Sequence, residues 1–506
     1  MDETNKYDFV IIGSGLGGLE CAFILASEGY SVCVLEKNHQ LGGNLQVFSR
    51  DKVIFDTGVH YIGGLDEGQN LNQLFKYFGL MDKVKLLKMD VDKFDVISFD
   101  GDQTEYYHAQ GYDRFAESLI RQFPEEEKAI RQYCSTIQEV CSHFPLYTLK
   151  YSTDSHLEDD VLSVGVVDYL ERLTNNEKLR SVLAGTNLLY AGYSDKTPLY
   201  VHALVINSYI ESSYRCIDGG SQIAKYLAKQ IREMGGEVMK HKNVVSFEYE
   251  GENISAAVTD KGERFYGKTF ISNAHPQATV AMVEEGRMRK AYTNRINDME
   301  NSISTFIVSI TCKPNTFKYR NYNYYHHATT DVWSAIDYDP SDWPTAYMLS
   351  TPAHGEDDEY AKGVILVTYM RFEEFEEWKD SHNTIAESEE RGEAYKAFKK
   401  EKEQKVIDFV SKKFPDLKDS INNVYSSTPL TFRDYIGNVD GNLYGVVKDF
   451  KSPLKSFITP KTKIPNLFLT GQNINLHGIL GVTISALVTC SEFVDKKALL
   501  EKIKRA

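Results

Sequence analysis

The run Gly13-Ser14-Gly15-Leu16-Gly17-Gly18 constrains this chain more than any other feature. It follows a short β-branched and aromatic stretch, Tyr7 to Ile12, and precedes Leu19, Cys21, Ala22, Ile24 and Leu25 at helical spacing, so strand, tight turn and helix come in order. Gly13 permits the turn, Gly15 lets backbone N–H groups approach a pyrophosphate, and Gly18 allows close packing of helix on strand, with the helix N-terminus facing the anion. Ser31 to Leu35 reads as a second strand ending in Glu36, eighteen residues past Gly18, where a carboxylate binds both hydroxyls of an adenosine ribose. That acid repels a 2′-phosphate, which disfavours NADP and leaves FAD and NAD. A second glycine pair, Leu41-Gly42-Gly43-Asn44, again brings backbone close to a dinucleotide; NAD-dependent dehydrogenases do not usually need it. Farther on, Gly219-Gly220 lacks a third glycine and follows no clear strand, so a second fingerprint is not expected and any nicotinamide visits transiently.

With 506 residues the chain has room for two large domains or about three smaller ones. The 57 basic against 72 acidic residues give a net charge of -15, with acid concentrated in stretches such as Glu373 to Glu377 and Glu387 to Glu390, which disfavours nucleic-acid binding. The seven cysteines are odd in number, scattered and without a C-x-x-C pair, which fits a reducing compartment. An acidic N-terminus argues against a secretory leader. The longest later apolar stretch, Ile479 to Cys490, has 12 residues, against the roughly 20 that a spanning helix needs. A cytoplasmic location is expected, with peripheral membrane contact left open.

Three blocks carry a resemblance. The first holds the glycine motifs with Phe55-Asp56-Thr57-Gly58-Val59-His60-Tyr61-Ile62-Gly63, and the second runs from Ile217-Asp218-Gly219-Gly220 through Asn243-Val244-Val245 to Ile271-Ser272-Asn273-Ala274-His275-Pro276. The third comprises Ser427-Thr428-Pro429-Leu430-Thr431-Phe432, Leu443-Tyr444-Gly445, Phe468-Leu469-Thr470-Gly471-Gln472-Asn473 and Gly478-Ile479-Leu480-Gly481-Val482-Thr483. Together they resemble the carotenoid and retinoid FAD oxidoreductases, which include phytoene desaturases, carotenoid isomerases and retinol saturases, and the first block looks particularly like the saturase branch.

The resemblance implies an α/β fold in which a Rossmann-type FAD-binding domain is interwoven with a mixed α+β substrate domain. It implies FAD held by Gly13, Ser14, Gly15, Gly17, Gly18, Glu36, Lys37, Gly42, Gly43, Asn44, His60, Val244, Gly471, Gln472, Gly481, Val482 and Thr483. The expected reaction reduces, isomerises or desaturates carbon–carbon double bonds of an extended apolar substrate, with an external electron donor or acceptor. Desaturases commonly carry a Pro-Gly turn where this chain has Leu476-His477-Gly478, which favours reduction or isomerisation. A flavin amine oxidase shares the fold, as does a prenyl-lipid escort protein without flavin chemistry, although the complete glycine and Glu36 set argues against the escort.

In the closing block, Lys463 to Thr470 reads as a strand and Gly481 opens a buried apolar helix over Val482 to Val488. The N-terminus of such a helix stabilises negative charge on a reduced isoalloxazine. His477 lies between strand and helix and is therefore the candidate catalytic residue: hydride addition to a double bond leaves a carbanion-like centre needing a proton, and imidazole, with a pKa of about 6.5, suits its delivery.

The sequence has no repeat or linker, so the domains are expected to interweave: 1–75, 216–290 and 425–506 for FAD, 76–215 and 291–424 for substrate. The substrate segments predict helices over Phe115 to Arg121, Glu125 to Phe144 and about Ser388 to Phe414, and strands over Ser304 to Thr311, Thr345 to Ser350 and Val364 to Met370. They are rich in tyrosine, Tyr190, Tyr209 and Tyr325 among them, whose apolar faces and polar tips suit a long hydrophobic ligand as well as a core. His326-His327, and His354 with Glu356 and Asp357, lack metal-site spacing, so they read as solvated loop and no metal is expected.

Overall fold

The structure, a computed structural model, describes residues 6–152, 159–355, 358–385 and 388–506. The first strand, Lys6–Ile12, pairs in parallel with Val32–Leu35 on one side and Arg264–Ser272 on the other. Val32–Leu35 is buried at every position, as a parallel strand covered on both faces must be. Glu237–Met239 extends this sheet beyond Val32–Leu35, Leu467–Leu469 joins Arg264–Ser272, and the antiparallel strands Asn253–Thr259 and Val244–Glu250 complete its seven. Helices Leu16–Ser27 and Gly478–Cys490 are apolar nearly all round because they pack on each other and on the sheet.

A second sheet of seven strands runs Ile421–Ser427, Ser304–Cys312, Gly363–Met370, Ala346–Ser350, Asn323–His327, Asp95–Phe99 and Tyr106–His108. All its pairings are antiparallel except that between Asn323–His327 and Asp95–Phe99. Helices Tyr112–Gln122, Glu127–Ser142 and Leu199–Glu211 pack beside it. Each sheet collects strands from distant chain segments, as interwoven domains require.

Several expectations need correction. The boundary at 425 falls inside strand Ile421–Ser427, which belongs to the second sheet. The strand expected from Lys463 is shortened to Leu467–Leu469, because Pro465 has no N–H to donate to a ladder. The closing helix begins at Gly478, three residues before Gly481. His326 and His327 are buried on a strand, where His326 Nδ1 meets Ser98 Oγ at 2.7 Å and His327 Nε2 donates to the Gly185 carbonyl at 2.8 Å. His354 is largely buried beside Asp218, whereas Glu356, Asp357 and Glu387 lie outside the described residues.

Gly219-Gly220 does follow a strand, Ser213–Cys216, and precedes helix Ser221–Glu233. That strand lies in a small separate sheet, and the Gly220 N–H donates to Asp56 Oδ1 at 2.7 Å. The chain's own carboxylate thus occupies the place at this helix N-terminus where a phosphate would bind.

Candidate dinucleotide cleft and adjoining cavity

The Gly13–Gly18 turn is built around two tight contacts. A Cβ on Gly18 would lie 2.1 Å from the Gly13 carbonyl oxygen, and one on Gly15 would lie 2.6 Å from Asn273 Nδ2. Asn273 follows strand Arg264–Ser272, and its N–H donates to the Ile12 carbonyl at 2.8 Å, so the central strand pair presents this amide to the glycine loop. Gly42 bridges Gly15 with φ +115°, a conformation open to glycine.

Glu36 ends the second strand, buried, where its Oε2 accepts from Ser14 N–H at 3.0 Å and Ser14 Oγ at 2.6 Å. Its Oε1 accepts from the Asn38 N–H at 2.8 Å. Glu36 is thus held in one orientation, and Ser14 acts through it rather than in the cavity wall.

Gly13, Gly15, Glu36, Gly42 and Asn273 line one cleft. Its walls include Gly13, Gly15, Gly17, Glu36, Lys37, Gly42, Gly43, Asn44, Val244, Gly471, Gln472, His477 and Val482. Helices Leu16–Ser27 and Gly478–Cys490 both begin at it, and neither has a side-chain cap or an acid in its first turn. Two sets of free helix N–H groups therefore converge where a dinucleotide carries pyrophosphate and a reducible ring.

A second cavity adjoins the first. Gly58, Val59, Leu443, Tyr444, His477, Gly478 and Ile479 line both, so the two volumes meet there. His60 and Gly481, expected at the cofactor, line this second cavity instead. Leu188, Leu204, Ile307, Met348, Tyr209 and Tyr325 contribute to its wall, and no described lining residue is Asp, Glu, Lys or Arg.

Thr483 reaches neither cavity. It points into the core, its Oγ1 lying 2.7 Å from Glu20 Oε1 and 2.8 Å from the Ile479 carbonyl, as a helix-interior threonine beside a buried carboxyl does. Burial holds the Glu20 carboxyl well above the usual carboxylate range. Gly18 likewise packs helix on strand without reaching the cleft.

His477 stands where expected, at the start of the closing helix and on both cavities. Its Nε2 lies 2.9 Å from the Leu189 carbonyl, and a carbonyl only accepts, so the single proton of the neutral ring is committed there. Burial pushes its pKa down to about 4, which leaves the ring neutral near pH 7. This geometry fits a side chain fixing the loop against Tyr444, whose ring lies 4.4 Å away.

What the sequence reading missed lies in the wall of the second cavity and just behind it. Tyr61 Oη is 2.9 Å from Tyr325 Oη and 3.0 Å from Asp95 Oδ2, and Asn323 Nδ2 donates to Asp95 Oδ1 at 2.9 Å. Burial pushes the Asp95 pKa up to about 7. The available signal was Asp95 itself, a carboxylate opening the apolar strand Asp95–Phe99.

A profile of the NAD(P)-binding Rossmann-like domain matches residues 11–78. Along nearly its whole length the chain is 27% identical to all-trans-retinol 13,14-reductase of Rattus norvegicus, covering 99% of this chain and 87% of that protein. It is 23% identical to prolycopene isomerase 1 of an Oncidium hybrid cultivar, covering 99% of this chain and 86% of the other. Over 99% of its residues the chain is thus similar to proteins named for retinol reduction and for prolycopene isomerisation. In fold it is similar to cyclohexylamine oxidase of Brevibacterium oxydans, with a TM-score of 0.59 at 13% identity over 99% of this chain and 100% of that one. At that identity the likeness concerns the fold alone. No helix among the described residues is long and apolar enough to cross a membrane.

Proposed function

We propose that the protein is an FAD-dependent oxidoreductase acting on carbon–carbon double bonds of an extended apolar substrate of retinoid or carotenoid type. The observation that carries this reading is the junction of the two cavities: a cleft with Glu36 and two uncapped helix N-termini opens into a chamber whose described lining holds no formal charge.

The residues fit the flavin dinucleotide. Asn44 Oδ1 is buried with no hydrogen-bond partner among the described residues, and Asn44 lines the cleft. Gly15 and Gly43 leave the cradle a side chain would fill. Glu36 would hold the ribose, the N-terminus of Leu16–Ser27 the pyrophosphate, and the N-terminus of Gly478–Cys490 the ring. Bound there, the flavin supplies hydride transfer to or from carbon.

The chain's own part is to exclude water and to orient the polyene. Leu188, Leu204, Ile307 and Met348 supply the apolar surface, while Tyr209, Tyr325 and Tyr444 offer flat faces and hydroxyl tips along it. The uncharged lining disfavours an ammonium substrate, since a buried cation without a counter-ion is strongly penalised, and so speaks against an amine oxidase. The relatives named for reduction and for isomerisation both act on conjugated isoprenoids by name, and the turn Leu476-His477-Gly478 favours those two outcomes over desaturation.

Incubating the flavin-loaded protein with all-trans-retinol or a poly-cis carotenoid, with and without a chemical reductant, tests the reading by mass and chromatography. A product heavier by two hydrogens means reduction, and an unchanged mass with altered retention means isomerisation. No change in any polyene, with conversion of a primary amine instead, would discard the proposal.

A further inference from the structure

We infer that Tyr325 delivers the proton completing double-bond reduction, and that Tyr61 and Asp95 recharge it from the protein interior. This inference rests on the function proposed above and names its proton source.

The geometry is a chain of three groups beginning at the cavity and ending in the core. Tyr325 and Tyr61 both line the cavity, and among the described residues the Tyr325 Oη has one hydrogen-bond partner, Tyr61 Oη at 2.9 Å, whereas Tyr61 Oη is also bonded to Asp95. Tyr61 in turn meets Asp95 Oδ2 at 3.0 Å, and Asp95 is fully buried. Strand register enforces the arrangement: Asp95 pairs with Asn323 and Ile97 with Tyr325, so Asp95, Asn323 and Tyr325 share one face of the second sheet. Tyr61 is fixed across them by stacking on Tyr209, with ring centroids 4.2 Å apart.

The protonation state of Asp95 sets the direction of the chain. When the carboxyl carries its proton, Asp95 donates to Tyr61, Tyr61 donates to Tyr325, and the Tyr325 hydroxyl is left pointing its hydrogen away from Tyr61, toward the cavity. When Asp95 is ionised, every donor turns inward and no hydrogen faces the substrate. Only the protonated state can deliver.

The groups around Asp95 are consistent with such a role. Arg215 is the cation near it, and Asn323 stands between: Arg215 Nη2 donates to Asn323 Oδ1 at 3.1 Å, while Nη1 is taken by Ser350 Oγ at 2.5 Å and the Thr351 carbonyl at 2.7 Å. Tyr61, Tyr209 and Tyr325 are the phenols facing it, and His108, its partner on the neighbouring strand, is turned to the Val182 carbonyl at 3.1 Å and kept neutral by burial. With no direct cation, burial raises Asp95 to about 7. Asp434 supplies the contrast: equally buried, it is ion-paired directly with Arg391 and Arg433, as a carboxylate that only holds structure would be. Asp56 is also raised to about 7, but it caps the Gly220 N–H and reaches neither cavity.

The step balances. A reduced flavin held by Glu36 and the two helix N-termini would supply the hydride for one carbon of the double bond, and an external two-electron donor would restore it. The adjoining carbon takes the Tyr325 proton, Tyr325 takes one from Tyr61, Tyr61 takes one from Asp95, and Asp95 is left as carboxylate, which must regain a proton before the next turnover. Tyr325 is the catalytic residue; Tyr61 and Asp95 act through it.

Infrared titration of the protein without added substrate tests the relay directly. Wild type should show two protonated-carboxyl components that bleach near pH 7, one from Asp56 and one from Asp95; Asp95→Asn should lack the second and keep the first, which fixes the Asp95 midpoint. Tyr61→Phe should move that midpoint upward, because the Tyr61 hydroxyl stabilises the ionised form; this shift also identifies the band should Asp95→Asn fail to fold. With all-trans-retinol and a chemical reductant, Tyr325→Phe should keep its flavin and lose about a hundredfold in turnover. Asp95→Asn should lose the fall in rate above about pH 7. An Asp95 ionised from about pH 5 upward, or wild-type turnover in Tyr325→Phe, overturns the relay while leaving the proposed function standing. Absence of any polyene reduction by wild type removes the reaction itself, and the relay's role with it.

Discussion

The two cavities that meet at Tyr444 and His477 are walled by different means. The dinucleotide cleft is shaped by backbone: Gly13, Gly15, Gly17, Gly42, Gly43 and Gly471 line it, and its electrostatics come from two helix N-termini. The adjoining cavity is shaped by large side chains from segments up to some hundreds of residues apart, from His60 to Leu480. A backbone-walled site should tolerate almost no added atoms, whereas a side-chain-walled one should adapt its shape and keep its fold.

The sharpest break is Gly18→Ala. Its Cβ would lie 2.1 Å from the Gly13 oxygen, a backbone atom that cannot swing away, so turn and helix must separate. We expect at least about 3 kcal/mol of destabilisation, by thermal melting, together with loss of retained flavin. An equally large response to Tyr209→Phe would erase the contrast between the two walls.

Acid should loosen the side-chain-walled region first. His60, His108 and His327 have pKa values pushed down to about 4 by burial, and His202, held by Tyr133 and Tyr190, to about 3. Each is neutral when folded and takes up a proton more readily when unfolded, so its stabilisation is present above about pH 6.5 and is lost as pH falls toward 4. Asp56 and Asp95 have raised folded pKa values, so their contribution runs the other way, present at low pH and lost as pH rises through about 7. The histidines are more numerous, and a net loss of several kcal/mol is expected between pH 6.5 and 4. All three tryptophans, Trp333, Trp343 and Trp378, lie on the second-sheet side, so their fluorescence should change before flavin is released.

Glu36→Ala comes next in size. Removing a charge-assisted ribose contact of about 1.5 to 3 kcal/mol should weaken FAD binding roughly ten- to a hundredfold, read by equilibrium dialysis, with the melting curve of the apoprotein little changed. The smallest effect is expected from His477→Ala. Because its proton is committed to the Leu189 carbonyl, turnover should fall by less than about tenfold, far short of a lost general acid.

The same contrast explains what could be read in the sequence. Glycines at Gly13, Gly15 and Gly18 act through local backbone geometry, so their spacing alone placed the strand, the turn, the helix and Glu36. Strands such as Ser304–Cys312 and Gly363–Met370 were legible as β-branched runs. The Asp95–Tyr61–Tyr325 chain was not, because it depends on which strands become neighbours, and parallel pairing of Asn323–His327 with Asp95–Phe99 joins residues over two hundred positions apart. Thr483 was misplaced for a related reason: the helix starts at Gly478 rather than Gly481, so a residue read as facing the cofactor turns toward Glu20. His477 was correctly placed in the chain, but a hydrogen bond to Leu189, far away in sequence, sets its chemistry.

The central claim is that one flavin lies in the backbone-walled cleft and meets an apolar substrate in the side-chain-walled cavity. Its most direct test is titration of the flavin absorbance of the purified protein with all-trans-retinol and, separately, with an aliphatic primary amine. We predict about one FAD per chain, with a flavin band that shifts saturably with the retinoid and stays unmoved by the amine. A colourless protein that takes up no FAD, or a flavin band that answers only to the amine, would contradict the account.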